Sequence, residues 1–143
     1  MRVNEIMTSD FETIDAMSSV TEAAKKMQSL NIGFLPVREG REIVGVLTDR
    51  DIVVRALARE FDPDSTRVKD IATQNVTYCY EDIGVEDAAA LMEEHQIRRL
   101  IACDYDGSPV GIISLGDLAV KTGQENLYGE ALERISEPAA PAR

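Results

Sequence analysis

A chain of 143 residues with 44% hydrophobic and 29% charged side chains is long enough for one packed core, or two small modules, and reads as globular and soluble. Its net charge of −11 repels phosphate backbones, and no Lys/Arg stripe interleaved with aromatics offsets it, which argues against a nucleic-acid partner. The longest apolar run, Ile43 to Thr48, is far too short for a bilayer, and Met1 to Asp10 lacks the apolar stretch of a secretory signal, so a cytoplasmic protein with no membrane partner is expected.

Taken in chain order, Ser19 and Glu22 form an S-x-x-E capping box before a helix. Its apolar face is Val20, Ala23, Ala24, Met27 and Leu30, and it ends near Asn31. Phe34 to Val37 and Ile43 to Leu47 are β-rich runs separated by the hairpin signal Glu39-Gly40-Arg41. A second helix is expected from Asp49 to Glu60, turning Ile52, Val53, Ala56 and Leu57 inward. Residues 62–67, with Asp62-Pro63-Asp64, read as a linker. The grammar then recurs: a helix from Val85 to Gln96, strands Leu100 to Cys103 and Val110 to Ile113 around Asp106-Gly107, and a helix opening at Gly116 and running to Lys121. Beyond Gly123 the chain turns polar and ends in PAAPAR, which predicts at most a short helix over Tyr128 to Ile135 and a frayed end.

The recurrence is a true repeat. Val3 to Thr8 aligns with Val68 to Thr73, and Val20 to Met27 with Val85 to Met92, both at a shift of 65; past Asp106-Gly107 the shift is 66 and pairs Gly45 with Gly111, Thr48 with Ser114 and Asp51 with Asp117. The division is therefore repeat 1 over 1–61, linker 62–67, repeat 2 over 68–123 and a tail over 124–143. The predicted fold class is mixed α+β: two β-α-β-β-α halves, each with an apolar sheet face to cover, packed about a pseudo-twofold axis with clefts between them.

Thr48-x-x-Asp51 and Ser114-x-x-Asp117 stand where a strand turns into a helix. A hydroxyl at the N-cap with an acid three residues on is a capping box of a variant kind, and it needs no ligand. The same corner also suits one. Unpaired amides at a helix start take a phosphate, a carboxylate nearby can accept ribose hydroxyls, and the preceding glycine lets a flat base approach the strand.

Gly45-Val46-Leu47-Thr48-Asp49-Arg50-Asp51, its partner Gly111-Ile112-Ile113-Ser114-Leu115-Gly116-Asp117 and the stretch Asn31 to Val37 make the chain resemble a tandem pair of CBS (cystathionine β-synthase) domains. The likeness covers residues 1 to 122 and extends, through MEEHQIRRL and VLTDRDIV, to small stand-alone bacterial pairs of the hypoxic response type. The resemblance implies a regulatory module that binds adenosine-containing ligands in the clefts between repeats. Asp51 and Asp117 would hold ribose and Thr48 and Ser114 would sit near phosphate. The base would lie among Thr13, Ile14, Phe34 and Pro36 in one half and Tyr78, Cys79 and Ile101 in the other. Arg50, Arg98 and Arg99 are the cations assigned to phosphates, because the planar guanidinium suits them. Arg50 equally suits a surface ion pair, and Arg98 and Arg99 a solvated strand start. The halves differ: Gly116 replaces Arg50, and only the second half carries the Arg98-Arg99 pair, where the first has Gly33-Phe34. Sites of unequal affinity follow.

No nucleophile with a base beside it and no glycine-lysine phosphate loop is visible, so catalysis is not expected. Cys79, Cys103 and His95 do not have the spacing of a metal set, and two free, buried thiols are expected with no metal. No cofactor is required. The regulatory ligand expected is an adenine nucleotide, AMP first, and the other partners are a second copy of the chain, through residues such as Val53, Leu57, Leu118 and Val120, and an unidentified downstream protein. The competing reading is a structural dimerisation or adaptor module with degenerate clefts.

Overall fold

The computed structural model describes residues 1–74 and 76–136. The chain forms two compact units, one of Glu12–Val76 and one that joins Met1–Phe11 to the segment from Thr77 onward.

In the unit Glu12–Val76, β1 (Ile14–Asp15) runs parallel to β2 (Phe34–Glu39), which pairs antiparallel with β3 (Glu42–Thr48). α1 (Val20–Leu30) starts where the Ser19 hydroxyl accepts the Glu22 amide, and it stops at Asn31, which takes the left-handed conformation that ends many helices. Val20, Ala23 and Met27 face a core completed by Leu35, Val37 and Leu47. The linker is no loose tether: the Val20 and Thr21 amides donate to the Thr66 and Pro63 carbonyls, and the Thr21 hydroxyl to Asp64.

After β3 the chain makes α2 (Asp49–Asp51) and continues as a π-helical stretch, Ile52–Leu57, ending short of the expected Glu60. The wider winding carries amide-to-carbonyl bonds five residues apart, as from Ala58 to Val53, and it rotates the apolar side chains off the predicted face. Ala56 is buried and Ile52 half-buried, but Val53 is 54% and Leu57 69% exposed. The inward assignment of Val53 and Leu57 is corrected accordingly.

The other unit repeats the plan with β4 (Tyr78–Tyr80), α4 (Val85–His95), β5 (Arg99–Cys103), β6 (Pro109–Ser114) and α5 (Leu115–Thr122), in a sheet of order β4-β5-β6. Gln96 ends α4 in the left-handed region, as Asn31 ends α1. Leu118, expected on a dimer surface, is fully buried here, because it lies on the face of α5 that meets the core. The chain then forms α6 (Glu125–Ile135), eleven residues long, where only a short helix and fraying were expected. Tyr128, Ala131 and Ile135, spaced as one helical face, are buried in this core, while residues 137–143 of the tail lie outside the described residues.

The lead-in segments of the two repeats are exchanged. Val3 and Ile6 belong to the core of the second repeat, whereas Val68 and Ile71, in α3 (Val68–Ile71), belong to that of the first. Thr8 bridges to Ile112, and Thr73 bridges to Val46 at the matching place. This accounts for the paired glycines. A Cβ on Gly45 would lie 2.7 Å from the Thr73 carbonyl oxygen, and one on Gly111 would strike the Met7 side chain. That space holds the exchanged segment, which corrects the reading of both glycines as openings for a base.

Candidate ligand site

Both strand-to-helix corners are complete capping boxes. Thr48 Oγ1 accepts the Asp51 amide at 3.1 Å while the Thr48 amide donates to Asp51 Oδ2 at 2.9 Å; for Ser114 and Asp117 both distances are 3.0 Å. Each carboxylate keeps its second oxygen outside the box, 3.8 Å from the cation one turn on, Arg55 Nε or Lys121 Nζ. The two differ in access. The Asp51 side chain is 12% exposed and that of Asp117 27%, so of the two acids expected to hold ribose Asp51 is the more enclosed.

The remaining predicted residues sort by depth. Ile14, Cys79 and Ile101 are core residues, and Pro36 is buried in β2. They pack the sheets and do not offer a surface to a base. Thr13 and Phe34 are half-buried, and Tyr78, opposite Ile101, is exposed. Thr13 Oγ1 accepts from Arg38 Nε at 3.4 Å. Arg50 is exposed on α2, where its amide donates to Asp49 Oδ1. Cys79 and Cys103 are free thiols, with Cys103 Sγ donating to the Cys79 carbonyl; burial, and then the neighbouring Cys103, push the Cys79 thiol up to about 11. Among the described residues no group of three His, Cys, Asp or Glu is arranged to hold a metal ion.

Arg98, Arg99 and Ser114 do come together. Register places Arg99 opposite Ser114, and the Leu115 amide donates to the Arg98 carbonyl, so both arginines meet the first turn of α5. They line a cleft of about 380 Å³ whose floor is Leu115, Gly116 and Ala119. Its opposite wall, Tyr128, Gly129 and Leu132 of α6, escaped the sequence reading because α6 lies outside the repeat; the Tyr128, Ala131, Ile135 spacing was the available signal. Asp117 is not among the lining residues. In a chain carrying −11, two arginines at a helix start make a local cationic patch, although most amides of that first turn are already taken, Leu115 by the Arg98 carbonyl and Asp117 by Ser114 Oγ. The pocket can take a small anion-bearing ligand, and its volume sits at the lower end for such sites.

The comparisons with known proteins agree with one another. Over 134 residues the chain is 38% identical to the CBS domain-containing protein YhcV of Bacillus subtilis, covering 94% of each. Over 116 residues it is 31% identical to hypoxic response protein 1 of Mycobacterium tuberculosis, covering 80% of each. Among solved structures it resembles the CBS domain pair of protein MJ0100, crystallised with 5′-methylthioadenosine and S-adenosyl-L-methionine, with a TM-score of 0.73 and 28% identity over 87% of this chain and 98% of that one. The family model for the CBS domain matches twice, over residues 3–57 and 68–121. The chain thus belongs to the CBS domain family, as a tandem pair.

Proposed function

We propose that this protein is a non-catalytic sensor of an adenosine-containing ligand, AMP first among them, which binds at the strand-to-helix corner of the second repeat. The observation that carries the reading is the cationic cleft of Arg98, Arg99 and Ser114 at the start of α5. In this reading the phosphate sits against the arginines and the Gly116 amide. The ribose reaches the oxygen of Asp117 that lies outside the capping box, and Tyr78 offers a surface to the base. The first repeat, with Asp51 enclosed and Arg50 where the second has Gly116, is the weaker site. Charge-assisted hydrogen bonds of about 1.5–3 kcal/mol each, less ordering costs, correspond to a micromolar ligand, in the range of a metabolite sensor. The adenosine ligands in MJ0100, a relative of the same fold, support the chemistry.

The output is a change in association. Val53, Val54 and Leu57 are exposed on the helical face of the first repeat, and we assign them to a homodimer. A cytoplasmic location and a downstream protein partner complete the reading. Calorimetric titration with adenosine, AMP, ADP, ATP, S-adenosylmethionine and NAD tests it: AMP should bind at micromolar concentration, and Arg99→Ala should weaken it by about tenfold. If all six ligands fail to bind, a second reading takes its place, a structural dimerisation module whose acids only cap helices. The closed capping boxes and the exposed Val53 and Leu57 favour that one.

A further inference from the structure

The helix that closes the cleft lies outside the family match, which ends at residue 121, yet it is integral to its unit. Beside its three core side chains, α6 is tied by polar contacts. The Gln96 side-chain amide donates to the Arg134 carbonyl, Arg134 pairs with Glu93 at 3.1 Å, and Arg98 Nη2 donates to Ser136 Oγ just past the helix end at 3.3 Å. Arg98 therefore touches both the cleft and the far end of α6.

Two glycines face this cleft from its two helices. A glycine within a helix destabilises it relative to alanine, so its presence calls for a reason. The usual reasons fail here. Neither Gly116 nor Gly129 has a positive φ, a Cβ on Gly129 would meet nothing within 4 Å, and one on Gly116 only Ser114 Oγ at 3.7 Å. No protein atom requires either residue to be small. Their common effect is to keep the space between α5 and α6 open, and at the corner of the first repeat Arg50 fills the position of Gly116.

We propose that α6 is the distal wall of the second repeat's ligand site, and that Gly129 and Leu132 set how long a phosphate chain the site accepts. This rests on the adenosine-ligand reading above and deepens it. A ligand whose first phosphate lies against Ser114 and Arg99 directs any further phosphate towards Arg98 and Gly129. Leu132 and Ala119 line the remaining space. The site thus admits adenosine di- and triphosphates in addition to the monophosphate, and it reports their binding through the Arg98 contact with the end of α6.

Titration of AMP and ATP against the wild type, Gly129→Ala and Gly129→Leu tests this, with thermal melts of each. Wild type should bind both nucleotides. Gly129→Leu, which fills the cleft, should weaken ATP at least about tenfold more than it weakens AMP. Gly129→Ala should fall between, and both variants should melt no lower than wild type, since each improves helix propensity. If wild type binds AMP and not ATP, or if Gly129→Leu leaves ATP affinity unchanged or lowers both affinities alike, α6 is not the distal wall while the adenosine reading stands. If wild type binds neither nucleotide, the adenosine reading falls and this inference with it.

Discussion

The two repeats build the same corner and cover it differently. Thr48-Asp51 and Ser114-Asp117 close the same capping box to within 0.1 Å in each of its two bonds. In the first repeat the chain then winds as a π-helix, encloses Asp51 and leaves Val53, Val54 and Leu57 exposed. In the second it winds as a regular helix, and α6 packs across α4 and α5 with a cleft at its edge. A duplicated motif thus supplies a shared helix start, and what surrounds it gives the two carboxylates different exposure.

That contrast can be broken by substitution. The largest effect is expected at Tyr128, 1% exposed and the anchor of α6: Tyr128→Ala should cost about 3–5 kcal/mol in denaturant unfolding. Tyr128→Phe should be near neutral, because the hydroxyl makes no well-formed hydrogen bond among the described residues; Thr122 beside it donates to the Leu118 carbonyl. A Tyr128→Ala loss below about 1 kcal/mol would mean that α6 is a passenger.

Next come the glycines under the exchanged segments. Gly45→Ala forces a methyl against the Thr73 backbone and should cost about 1–3 kcal/mol. Gly111→Ala meets only the Met7 side chain, which can swing aside, and should cost less than about 1 kcal/mol. Equal losses would remove this distinction between the repeats.

Smaller in stability, the acids separate by function. Asp51→Ala and Asp117→Ala each delete a capping box worth about 1 kcal/mol. Asp117→Ala should in addition weaken the nucleotide about tenfold in calorimetry, whereas Asp51→Ala should leave the tighter site within about twofold.

The smallest effect concerns the thiols. With Cys79 held near 11 in place of 9.0, a thiol reagent at pH 8 should label it only after unfolding. Because the fold disfavours the thiolate, this contribution to stability is intact below pH 9.0 and is lost as pH rises towards 11. Rapid labelling of the native protein would contradict the burial of Cys79.

Much of this architecture was legible because it is written twice. The strands around Gly40 and Gly107 and the helices ending at Asn31 and Gln96 could be read from either half and checked on the other. The assignment of segments to cores was not legible. Alignment tells that Val3 resembles Val68, but either could pack on either repeat, since both sheets offer an equivalent edge at Val46 and Ile112. The π-winding was hidden too, because apolar residues at Ile52, Val53, Ala56 and Leu57 fit an ordinary helix, and only the observed bonding shows which of them turn outward. At the site, the arginine pair and Ser114 were readable from the motif. The wall supplied by Gly129 and Leu132 lies in α6, beyond the repeat, where there is no second copy to compare.

The traded lead-ins also bear on how such a gene could be divided. A polypeptide stopped within 62–67 would retain the strip that belongs to its sibling's interior and lack the strip its own interior needs. Neither fragment should be stable by itself, but mixed together the two should rescue one another. Evolution would then have had to keep or lose them jointly, which makes the tandem, and not the single repeat, the inherited piece.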